Sequence, residues 1–68
     1  MAYLFNGIEK TREELKELWN LEIKGKEDRY ESFDALENIA KNMFDYGCYE
    51  YEMMAANSHN TFTFEKEI

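Results

Sequence analysis

Proline is absent from this chain of 68 residues, and cysteine and histidine occur once each, as Cys48 and His59. A lone cysteine cannot close an internal disulfide, and one histidine beside it does not complete a metal cluster. That usage points to a reducing, intracellular setting. No run approaches the roughly 18 apolar residues that span a bilayer, and no charged-then-apolar leader opens the chain. The expectation is a soluble, untargeted, cytoplasmic protein that makes no use of a membrane. Also missing are a nucleophile beside a candidate base, a glycine-rich phosphate loop and a pair of histidines on one helical face. Carboxylates abound, but acid–base chemistry needs a concave pocket that shifts one of them, and a chain this short leaves little room for one. No enzyme, cofactor or metal is expected.

What the chain does have is aromatic residues and acid. Eleven rings (Tyr3, Phe5, Trp19, Tyr30, Phe33, Phe44, Tyr46, Tyr49, Tyr51, Phe62 and Phe64) supply a core that a small domain otherwise lacks. Net charge is −7, and it is unevenly placed. Residues 1–26 hold five acids and five bases, whereas residues 27–68 hold ten acids against Arg29, Lys41 and Lys66. The whole excess sits in the second part. Such a surface repels nucleic acid and anionic lipid but attracts basic protein surfaces and speeds their association.

The clearest element is Ser32 to Gly47. Phe33, Leu36, Ile39, Ala40, Met43 and Phe44 recur at helical spacing, with Ser32 placed to cap the first turn and Gly47 to close the last. Its outward side is expected to carry Asp34, Glu37, Lys41 and Asp45. An earlier helix should start at the capping box Thr11-Arg12-Glu13-Glu14, set Leu15, Leu18 and Trp19 on its inward side with Glu22 and Ile23 as candidates to extend it, and stop at Gly25. Before it, Ala2 to Phe5 reads as a short strand ended by the turn dipeptide Asn6-Gly7, with Ile8 to Lys10 as a candidate return strand.

After Gly47 the period becomes two. Tyr49, Tyr51 and Met53 share one side, Glu50 and Glu52 the other, and Phe62 and Phe64 alternate in the same way beyond a polar loop at 55–60. Closing that hairpin pairs Glu52 with Thr63 and Glu50 with Glu65, two like charges face to face. Lys66 has the opposite parity and cannot offset them. The fold class is α+β, in the order β-α-α-β-β, with two helices on one face of a small antiparallel sheet. Trp19 and Met53 read first as core residues, Cys48 as a small buried hydrophobe and His59 as a solvated turn residue.

Two acidic sets are candidate contact residues: Glu31, Asp34, Glu37 and Asp45 on the helix, and Glu50, Glu52 and Glu65 on the sheet. Glu50 and Glu52 are about 6.6 Å apart in rise, near the spacing of phosphates along one nucleic-acid strand. The stretch Tyr30-Glu31-Ser32-Phe33-Asp34-Ala35-Leu36, with Phe44-Asp45-Tyr46 and Phe62-Thr63-Phe64, resembles the pattern of antirestriction proteins that mimic DNA. More broadly the chain is similar to small acidic inhibitors that phages and mobile elements encode, anti-CRISPR proteins among them. The resemblance implies a non-enzymatic inhibitor occupying the basic nucleic-acid groove of a defence nuclease or CRISPR effector. Two other readings follow from the residues: a regulatory subunit that binds a partner through Trp19, Tyr46 and the methionines, and a homodimer joined at the hairpin edge.

Overall fold

A computed structural model describes residues 1–56 and 58–67. The order is β1 (Ala2–Phe5), β2 (Ile8–Lys10), α1 (Arg12–Glu22), α2 (Phe33–Asp45), β3 (Glu50–Met53) and β4 (Phe62–Glu65). The fold is α+β, and the return strand Ile8–Lys10 forms, so the order is β-β-α-α-β-β. All strand pairs are antiparallel and the sheet runs β2-β1-β4-β3, which places the two chain-terminal strands at its centre.

Local chemistry accounts for the boundaries. Asn6 and Gly7 both take positive φ (51° and 80°), the signature of a type I′ turn, whose twist matches that of the strands it joins. At the start of α1, Thr11 accepts from the Glu14 N–H while the Glu14 carboxylate accepts from the Thr11 N–H, completing the capping box. Ser32 caps α2 through the Ala35 N–H. At its other end Gly47 has φ 99°; its N–H donates to the Phe44 carbonyl and that of Cys48 to the Met43 carbonyl, the paired bonds of a Schellman motif.

Both helices cover one sheet face. Leu15 and Trp19 of α1 with its C-cap Ile23, Phe33, Leu36, Ala40 and Phe44 of α2, and Phe62 and Phe64 of β4 form the buried core with Ala55. Trp19 is central: its ring meets Phe62 and Tyr30 edge-on, and its indole N–H donates to the Glu31 carbonyl at 2.9 Å. At 0% exposure it is a core residue and not a surface anchor.

Three details depart from the sequence reading. Ile39 is exposed and Met43 half-buried, because the inward stripe of α2 runs Phe33, Leu36, Glu37, Ala40, Phe44, with a carboxylate where an apolar residue was expected. Cys48 is exposed, carried past the helix cap to the surface. Ala55 of the supposedly polar loop is buried, while Asn57 of that loop lies outside the described residues.

Candidate functional site

The two acidic sets have different fates. On α2, Glu37 is 7% exposed and is the acceptor at the centre of a tertiary network. Arg12, reaching from the first turn of α1, donates to it through Nε at 2.9 Å and through a terminal nitrogen at 3.1 Å, and the Tyr3 hydroxyl donates at 2.5 Å. Burial pushes the Glu37 carboxyl up, but the Arg12 and Tyr3 hydrogen bonds with the charges of Arg12 and Lys41 outweigh it, leaving the carboxyl below its ordinary value. The same contacts act on Tyr3. Burial first, then the hydrogen bond and charge of Glu37, push its phenol up to about 12.

Asp34 is likewise neutralised. Arg12 lies 3.0 Å from it and Lys16 3.5 Å, while the guanidinium also sits over the Phe33 ring at 5.5 Å from its centroid. The expectation that Glu37 faces outward with Asp34 as free acid is therefore corrected. A count by chain segment placed Arg12 in a balanced third, whereas folding lays it across α2. The stretch Phe33-Asp34-Ala35-Leu36 is thereby explained as a capped helix start with two core residues and one paired acid. Glu31 and Asp45 are exposed. Asp45 borders a shallow cleft of about 230 Å³ that also holds Lys41 and Lys66, so it sits in a mixed-charge setting.

The sheet set behaves otherwise. In the antiparallel ladder Glu50 lies opposite Glu65 and Glu52 opposite Thr63, the register read from the hairpin. Leu4 pairs with Thr63 on one side and with Glu9 on the other, so one row across the sheet reads Glu9, Leu4, Thr63, Glu52, and the next Ala2, Glu65, Glu50. The opposite parity (Tyr3, Phe5, Tyr51, Met53, Phe62, Phe64) packs under the helices. The helix-free face thus carries Ala2, Leu4, Thr63 and Glu65 on the two central strands, with Glu9, Glu50 and Glu52 on the edge strands.

Among the described residues no salt bridge or side-chain hydrogen bond reaches Glu9, Glu50, Glu52 or Glu65. Lys66 points to the helical side, where its Nζ donates to the Phe44 carbonyl. Glu9 was not among the expected contact residues. Its signal was there: a two-residue turn at Asn6-Gly7 pairs Phe5 with Ile8 and so fixes Leu4 opposite Glu9. Tyr46, the C-cap of α2, is 90% exposed; at the ends of β3 Tyr49 is 68% exposed and Met54 is also exposed, while His59 is an exposed loop residue.

No helix among the described residues is long and apolar enough to cross a membrane. Compared with protein-family models, curated proteins and solved structures, the chain gives no match.

Proposed function

We propose that this protein is a small non-enzymatic inhibitor that docks its acidic sheet face onto the basic nucleic-acid-binding surface of another protein. A defence nuclease or guide-RNA effector in a host cytoplasm has the required chemistry. The observation that carries the reading is the open face itself: Glu9, Glu50, Glu52 and Glu65 project from one side of a four-stranded sheet with no cation paired to them among the described residues. On the helical side, by contrast, Arg12 pairs with Asp34 and Glu37. Carboxylates left opposed across strands oppose folding, and they attract a cationic partner and raise its on-rate.

Docking narrows to the sheet. Glu50, Glu52 and Glu65, with Glu9 on the opposite edge strand, take the place of phosphates; Asp34 and Glu37 serve the fold. Reversing Glu50, Glu52 and Glu65 to lysine should abolish inhibition when the variant is titrated against purified restriction and guide-RNA nucleases. Unchanged inhibition by that variant would overturn the reading, and so would affinity that is insensitive to salt.

A second reading, a regulatory subunit that binds through aromatic and methionine side chains, keeps Tyr46 and Met54 and loses the buried Trp19, while the exposed Tyr49 joins it. Substituting Tyr46 and Tyr49 by serine separates the two, since that change leaves the charge of the open face intact.

A further inference from the structure

Strand β3 is an edge of the sheet, with β4 as its one strand neighbour among the described residues. The phase of the ladder shows which of its main-chain groups are used. The Lys66 N–H donates to the Tyr49 carbonyl at 2.9 Å, so Tyr49 and, by alternation, Tyr51 and Met53 turn their backbone toward β4. The N–H and C=O groups of Glu50 and Glu52 then point out of the sheet. These two residues combine a free backbone edge with an unpaired carboxylate on the open face. Tyr49 and Met54, both exposed, bracket them.

Resting on the docking reading above, we infer that β3 accepts an extended segment of the partner as a fifth strand, and that this segment alternates basic and apolar residues. The backbone bonds of Glu50 and Glu52 would be completed by residues directly opposite, whose side chains fall on the open face. Lysine or arginine there meets Glu50 and Glu52. The intervening residues fall on the helical side, beside the half-buried Tyr51 and Met53, where apolar side chains fit. Charge also selects against the other natural occupant of a free edge, a second copy of this chain. An antiparallel pairing of β3 with itself sets Glu50 and Glu52 against the same two carboxylates of the copy.

The test uses the full chain with two probes, a short peptide alternating lysine and valine and a control of equal composition with the two residue types in separate blocks. The alternating peptide should bind at least about tenfold tighter and should slow hydrogen exchange at the Glu50 and Glu52 amides. Glu52→Pro removes one outward N–H without touching the β3–β4 ladder, and Glu52→Gln removes the charge alone. Glu52→Pro should lose at least about tenfold more affinity than Glu52→Gln.

Equal binding of both peptides without protection of those amides overturns strand addition while leaving charge-driven docking in place. Failure of both peptides to bind at low salt overturns both. Protection of the Glu50 and Glu52 amides that grows with protein concentration alone assigns the edge to a second copy and overturns the inference. If the proline variant does not fold, exchange protection in the unaltered protein still decides.

Discussion

Replacing Glu37 with glutamine changes no volume and removes one charge, so it isolates what the buried network contributes. The carboxylate accepts three hydrogen bonds, two from Arg12 and one from Tyr3. A bond to a charged group is roughly twice as strong as its neutral equivalent, a gross loss of about 0.5–1.5 kcal/mol for each. Two effects offset part of it: an amide is easier to bury than a carboxylate, and the Arg12 side chain, 36% exposed, can recover water. The net cost should be about 1–2 kcal/mol, which for a domain of this length lowers Tm by about 5–15 °C. Urea melts at neutral pH give the difference directly. Because the folded carboxyl titrates below its ordinary 4.5, its contribution is present above that value and is lost as pH falls through the folded pKa. Wild type and Glu37→Gln should therefore converge in acid. An equal gap at pH 7 and at low pH would mean that packing and not charge is responsible; no gap at pH 7 would mean that Glu37 is an ordinary solvated acid.

Alkali tests the same network from the other side. The Tyr3 phenol is raised from 10 to about 12, so its contribution is intact below pH 10 and disappears as pH climbs through the folded value. Tyr3→Phe should flatten the loss of stability over that range, measured by chemical denaturation. Gly47→Ala should cost about 1–2 kcal/mol even though nothing crowds the added methyl, because the backbone there has φ 99°. Thermal melts would show it. Glu50→Lys turns the like pair with Glu65 into an opposite one and should raise stability by about 0.5 kcal/mol while weakening the proposed docking. A variant that lost both together would contradict that opposition of fold and function.

Sequence alone carried the parts of the fold that depend on neighbours a few positions apart. The Thr11 capping box, the Gly47 closure and the register Glu50 with Glu65 are all local, since parity and one loop length determine the last of them. What escaped was decided at long range. Glu37 occupies an inward helical position only because Arg12, 25 residues earlier, comes to meet it, and no periodicity in α2 announces a partner from another helix. Counting residue types then promoted Ile39 to the stripe that Glu37 in fact completes. The candidate site divided along the same line. Acids on the sheet were placed correctly by alternation, while two of the acids on the helix were claimed by side chains from α1 and β1.

Surface potential around the open face bears most directly on the account, and it can be measured without knowing the partner. Amide-proton relaxation caused by a small cationic paramagnetic complex, divided by that from an anionic one of the same size, reports the local sign of the field. The ratio should peak at Leu4, Glu50, Glu52 and Thr63 and fall to its lowest along the Arg12 side of α1 and α2. A ratio that is uniform over the molecule, or one that peaks beside Asp34, would contradict the claim that unpaired negative charge is densest on the bare side of the sheet.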